Sequence, residues 1–69
     1  MKSKILTARE KEIFEILVLN KTTKDVANIL HISEKTVRNH ISNVMQKLEV
    51  KTRYQAVIEL LKMGELNLN

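Results

Sequence analysis

The stretch from Ser33 to Leu48 has apolar residues at helical spacing on one side and hydrogen-bonding residues on the other. The apolar positions, which share one helix face, are Val37, Ile41, Val44 and Leu48. The remaining face carries Lys35, Arg38, Asn39, Ser42, Asn43 and Gln46. No acid lies between Glu34 and Glu49, although ordinary surface helices intersperse acids with lysines. The pattern predicts a helix that packs along one side and presents donors and amides on the other.

Helix signals recur along the whole chain, whereas no stretch alternates with the period of two that predicts a strand. Each predicted helix begins at a hydroxyl residue able to cap it: Thr7, Thr22 or Thr23, Ser33, and Thr52. Two capping boxes are predicted, Thr7 with Glu10 and Thr52 with Gln55. The predicted ends are Asn20-Lys21, Leu30, Leu48 and Met63. We therefore predict an all-α fold, with four helices in a single domain spanning residues 1–69.

A short helix, a brief connector and a longer helix follow one another between Thr22 and Leu48, as in a helix-turn-helix. The shorter helix is expected to bury Val26, Ala27, Ile29 and Leu30. Ala27 is small enough for a close helix crossing, and Ile32 is expected to fill the junction. The polar side of the longer helix is then free to enter the major groove of DNA, where its donors and amides match base edges.

Base contacts are predicted from the part of that helix nearest its start, which usually enters the groove deepest: Lys35, Arg38, Asn39 and Ser42. Phosphate contacts are predicted from one rim of the helix and from neighbouring elements: Lys24, Thr36, Asn43, Lys47, Lys51 and Arg53. For Arg53 an ion pair with an acid of the first helix is an open alternative.

The net charge of +4 is concentrated around this motif. Residues 21–53 carry seven Lys or Arg against three acids, whereas residues 54–69 carry one against two. A basic zone favours a polyanion partner, although a solubilising surface would have the same composition.

Several function classes are not expected from this composition. The chain has no Cys, no Gly-rich phosphate loop and no nucleophile–base arrangement, so we predict no cofactor, no metal site, no small-molecule substrate and no enzyme activity. Its longest apolar run, residues 16–19, is far too short for a membrane span, and its charged start is unlike a signal peptide. These features predict a cytoplasmic protein acting at the nucleoid.

Two apolar stripes lie on nearly opposite sides of the predicted fourth helix. The stripe expected to pack on the domain is Tyr54, Val57, Ile58 and Leu61. The second stripe, predicted to form a homodimer interface, is Ala56, Leu60 and Met63. Ordinary exposure, or cover by the tail over residues 64–69, is the alternative. A two-fold dimer would place two recognition helices about 34 Å apart, one turn of DNA.

Four segments resemble, in order, the four blocks of the LuxR-type DNA-binding domain that also ends FixJ and NarL response regulators: LTAREKEIFEIL, KTTKDVANIL, ISEKTVRNHISNVMQKLEV and RYQAVIELL. The resemblance implies a four-helix domain that dimerises through its last helix, binds promoters and controls transcription by RNA polymerase. It also implies base contacts at Arg38, Asn39 and Ser42, and backbone contacts at Thr36 and Lys47.

Within that family four segments are most similar to a small stand-alone regulator of late sporulation: TTKDVA, ISEKTVRNHISN, MQKL and ELLKMGEL. This similarity implies action in the mother cell on spore-coat genes. Because nothing precedes Met1, we expect activity to follow the abundance of the protein. The family often has Gly where this chain has Asn20-Lys21 and Glu49, and a positive φ at Glu49 would cost about 1 kcal/mol.

Two other functions remain open at the level of sequence. The chain could be the effector domain of a longer response regulator. It could instead be a helical protein-interaction module that docks on RNA polymerase through the second stripe of the fourth helix.

Overall fold

The computed structural model describes residues 5–68, which form four α-helices and no strand. The helices are α1 (Ala8–Leu17), α2 (Thr23–Leu30), α3 (Glu34–Leu48) and α4 (Arg53–Lys62). The all-α prediction is therefore confirmed. Helix α1 ends before the predicted Asn20, because the residues that follow Leu17 continue as hydrogen-bonded turns. The ends of the predicted domain, residues 1–4 and residue 69, lie outside the described residues.

Hydroxyl side chains cap the helices at the predicted positions. The Thr7 N–H donates to Glu10 Oε1 at 2.9 Å, and the Glu10 N–H donates to Thr7 Oγ1 at 3.2 Å. Thr22 forms the same reciprocal pair with Asp25, with both distances 3.0 Å. Each pair satisfies two amide donors that an uncapped helix leaves without partners.

The start of α4 differs from the prediction. Thr52 accepts from the Gln55 N–H, but Gln55 Oε1 accepts from the Lys51 N–H at 3.0 Å, so the second half of the predicted capping box is wrong. Three non-glycine residues have left-handed backbone: Asn20 in the turn after α1, and His31 and Glu49 at the C-caps of α2 and α3, with φ of 67°, 59° and 57°. The positive φ considered for Glu49 is thus present, and that of His31 is a finding of the structure alone.

Helix α3 packs against each of the other three helices, so one side of it lies at the centre of the core. Side chains with no exposed surface come from all four: Ile13, Phe14, Val26, Val37, Val44, Ala56 and Leu60. The chain after α4 folds back onto this cluster. There the N–H groups of Glu65 and Leu66 donate to the Leu60 carbonyl at 2.9 and 3.3 Å, and Leu66 is buried.

Two parts of the predicted core are wrong. Ile29 is 54% exposed instead of facing inward. In α4 the predicted assignment of the two stripes is wrong in part, because Ala56 and Leu60 are fully buried while Tyr54 and Ile58 are 79% and 44% exposed. Val57 and Leu61 are half-buried and do pack against the core, as predicted. A small residue at position 56 lets the helix approach the core closely, and Tyr keeps its hydroxyl in water. Ala56 and Leu60 therefore cannot form the predicted dimer interface.

An ion pair with a buried carboxylate joins α1 to the last turn of α3. Lys47 Nζ donates to Glu10 Oε1 at 2.5 Å and to the Ile5 carbonyl at 2.9 Å, and Glu10 is only 4% exposed. Burial raises the pKa of the Glu10 carboxyl, but hydrogen bonds from Lys47 and Thr7, together with the charge of Lys47, outweigh it and hold the pKa below its ordinary value of 4.5. The pair therefore stabilises the fold when Glu10 is ionised.

Replacing Glu10 by Gln should keep the capping geometry but remove the charge. We expect a loss of about 1–3 kcal/mol in the free energy of unfolding at neutral pH. The native pKa is depressed, so the contribution is complete above the unfolded value and disappears as pH falls through the native one. Chemical denaturation of both proteins across that range should show the difference shrinking in acid.

Glu12→Gln is the matched control, since Glu12 lies on the same helix in an exposed pair with Arg9 at 3.4 Å. Its loss should stay below about 0.5 kcal/mol. Equal losses from the two substitutions, or a Glu10 effect independent of pH, would contradict the role of the pair of Glu10 and Lys47.

Candidate nucleic-acid interface

The side of α3 away from the core is solvent-exposed at all four predicted base-contact positions. We call this set the outer face: Lys35, Arg38, Asn39 and Ser42. Its opposite side is anchored by Val37, Ile41 and Val44, which are buried. At 1.5 Å rise per residue the outer face extends about 10 Å along the helix, the length of about three base pairs. The surface on which the predicted mechanism depends is thus not covered by the described chain.

The first turn of α3 is organised by hydroxyl groups. Ser33 Oγ accepts from the Thr36 N–H at 3.0 Å and donates to Thr36 Oγ1 at 2.9 Å. Because the Thr36 oxygen already accepts a hydrogen bond, its own hydroxyl hydrogen stays available for an acceptor such as a phosphate oxygen. The structure therefore places Thr36, which is half-buried, at the rim where a backbone contact was predicted.

Arg38 extends along the helix surface toward the start of α3. Its Nη1 lies 3.5 Å from Glu34 Oε1, one turn earlier. Both side chains are largely exposed, so the pair is in contact with water. This ion pair is the polar contact that Arg38 makes within residues 5–68.

Arg53 reaches across from α4 to the start of α2. Its Nη1 donates to Thr23 Oγ1 at 3.2 Å, and it makes no ion pair with an acid of α1 within residues 5–68. The alternative considered for Arg53 is therefore not present in the structure, and Thr23 is a partner that the sequence did not indicate. Arg53 and Arg38 flank a shallow depression of about 370 Å³ lined also by Thr23, Ile41, Ser42 and Met45.

The remaining predicted backbone contacts divide into two groups. Lys24, Asn43 and Lys51 are exposed. Lys47 is exposed as well, with 35% of its side chain accessible, but its ammonium group donates to Glu10 and to the Ile5 carbonyl, and its contact with phosphate stays a prediction. The sequence places Lys47 at the rim of α3. Local spacing could not indicate its contact with Glu10, which lies 37 positions earlier in the chain.

The exposed apolar face of α4 is centred on Tyr54 and Ile58, and the half-buried Val57 and Leu61 border it. It lines a groove of about 420 Å³ together with the end of α1 and Leu68 of the tail. Met63, the third member of the predicted interface, is 40% exposed at the end of the helix. An exposed aromatic and aliphatic row of this size is typical of an interaction surface.

Residues 5–68 also lack the features of two other kinds of site. No helix there has the length and apolar character needed to cross a bilayer. In the same part of the chain, His, Asp and Glu side chains do not gather in groups of three or more that could hold a metal ion.

Comparison with known proteins places this geometry among bacterial regulators. Residues 4–60 match the family model described as bacterial regulatory proteins, luxR family. The chain is 70% identical over 64 residues to the spore germination protein GerE of Bacillus subtilis, covering 93% of this chain and 86% of that protein. A solved structure described as the transcription factor GerE has a TM-score of 0.92 and 58% identity, and the match covers 97% of this chain and all of the other.

More distant relatives are longer. The transcriptional regulatory protein DegU of Brevibacillus brevis is 45% identical over 60 residues, which are 87% of this chain but 25% of DegU. The chain therefore spans about a quarter of the length of that relative.

Proposed function

Because the chain belongs to the LuxR family and is a DNA-binding transcriptional regulator, we propose that α3 lies in the major groove and reads base edges through its outer face. The observation that carries this proposal is the exposure of a surface rich in donors and free of acids after Glu34, opposite a buried apolar stripe. Arg38 can bond the O6 and N7 of guanine, and Asn39 the N6 and N7 of adenine. Lys35 and Ser42 extend the contacts along the groove.

The DNA backbone is held by groups around this face. Thr36 and Asn43 donate from α3, and Lys24, Lys51 and Arg53 from the flanking elements. Thr23 holds the Arg53 side chain at the start of α2, beside the depression that Arg38 and Ser42 share. Phosphate contacts of this kind fix the register of the helix without selecting a sequence.

The regulator acts as a homodimer through the exposed apolar face of α4, which replaces the interface predicted from sequence. Tyr54 and Ile58 are its most exposed members, and covering them would remove apolar surface from water. Two copies related by a two-fold axis would present their recognition helices about one DNA turn apart.

By analogy with the named relative, the chain regulates sporulation genes, those of the spore coat included. It does so in the cytoplasm, at promoters used by RNA polymerase. The support is the 70% identity to a spore germination protein, together with the near-complete coverage of both chains.

The base-reading role is tested by selecting duplexes from a random pool and measuring affinity for the selected and for random sequences. Arg38→Ala should weaken binding to the selected duplex by about 1–3 kcal/mol and relax one base position. Lys51→Ala, which removes an exposed charge outside α3, should weaken both duplexes alike and reduce the salt dependence. An Arg38→Ala loss that is the same for both duplexes would contradict base reading.

The dimer is tested by Ile58→Glu, which places a charge on the exposed apolar face of α4. Sedimentation should show a shift toward monomer, and affinity should fall for a duplex with two half-sites but not for one half-site. Ile29→Glu is the matched control, since Ile29 is an exposed isoleucine that does not line the α4 groove. If both variants sediment alike, the proposed interface is wrong.

A further inference from the structure

Glu34 is the one acidic residue of α3, and it stands on the turn that enters the groove in the proposed function. A carboxylate there is repelled by the nearest phosphates of a bound duplex. Its position in the first turn does favour the helix dipole, but Ser33 already caps that end through the Thr36 N–H. Stabilising the start of the helix is therefore a weak reason to place an acid on a surface that binds a polyanion.

The partner of Glu34 is the residue assigned to guanine. Glu34 Oε1 lies 3.5 Å from Arg38 Nη1, and the two side chains are 46% and 61% exposed. An exposed pair of this kind adds little to the stability of the fold. The effect of the pair lies instead in which donors of the Arg38 guanidinium group remain available for DNA.

The contact engages one end of a group that has five donors in a fixed plane. With Nη1 turned toward Glu34, the edge formed by Nε and Nη2 remains free. That edge carries two parallel donors, the arrangement that matches O6 and N7 of guanine. Arg38 can thus keep Glu34 and bind guanine at the same time, whereas turning to a phosphate would leave the carboxylate unpaired against the DNA.

We infer that Glu34 is a positioning and specificity-determining residue, which orients Arg38 for guanine and penalises binding wherever Arg38 can reach only phosphate. The inference rests on the proposed function, because it assumes that Arg38 meets a base edge. Its physical content is a coupling: Glu34 acts on DNA selection through Arg38 and not through the overall charge of the domain.

The experiment compares the unaltered chain, Glu34→Gln, Arg38→Ala and the double variant on two duplexes, one selected from a random pool and one of random sequence. Affinities are measured over a range of salt concentrations, and thermal unfolding of each free protein is recorded. Glu49→Gln is the matched control, since it removes the next acid along the chain, just past the other end of α3.

Glu34→Gln should tighten binding to random DNA and lower the ratio of selected to random affinity by about fivefold or more. The slope of log affinity against log salt should steepen by up to about one. In the Arg38→Ala background the same substitution should no longer change the ratio, because the group it orients is gone. Glu49→Gln should leave the ratio unchanged.

Equal tightening on both duplexes, or a Glu34→Gln effect that persists without Arg38, would show that Glu34 only dilutes positive charge and would overturn the inference. A lower unfolding temperature with an unchanged ratio would assign Glu34 to helix stability and overturn it as well. If the unaltered chain selects no sequence from the pool, the proposed base reading by α3 is wrong, and the role of Glu34, which depends on it, is rejected as well.

Discussion

The packing of α3 is the constraint on which the rest of the molecule depends. Three helices contact it, yet its outer face must stay uncovered along about 10 Å if it is to enter a groove. The buried stripe of Val37, Ile41 and Val44 satisfies both demands, because it concentrates all apolar contact on one side. The small size of Ala27 and Ala56 serves the same end, since both are buried without adding bulk around the helix.

The ion pair of Glu10 and Lys47 has a related consequence for charge. It engages the ammonium group of Lys47 at the end of α3, while Lys35 and Arg38 are exposed near the start of the helix. A hydrogen bond from Lys47 also holds the Ile5 carbonyl, so the segment before α1 is tied to the end of α3. Both ends of α3 are therefore held by side-chain contacts, from Ser33 at its start and from Lys47 at its end.

The sequence allowed the helices and the turn motif to be predicted because their signals are local. Thr7, Thr22, Ser33 and Thr52 act within three residues of themselves, and such hydrogen bonds form wherever the chain begins a helix. The rotation of α4 could not be predicted in this way. Both of its stripes are apolar, and only the long-range packing of Leu60 in the core beside Leu66 selects between them.

Long-range partners account for the other errors as well. Lys47 contacts Glu10 on another helix, and Arg53 contacts Thr23 across the domain. Sequence periodicity predicts only the helix face on which each residue lies, not its distant partner. Ile29 was predicted to be buried and is exposed. Helix α2 is short, and its apolar side chains cover a wider arc than α1 and α3 can bury.

The short outer face of α3 gives a physical reason for the exposed apolar face of α4. A helix that reads about three base pairs cannot distinguish one promoter among the 10⁶ or more competing sites of a genome. The core of so small a domain leaves no room for a second reading helix, because four helices already surround or extend its single cluster. Pairing two copies doubles the bases read without enlarging the fold. In the proposed homodimer this pairing uses the apolar row of Tyr54 and Ile58, which is exposed in the single chain.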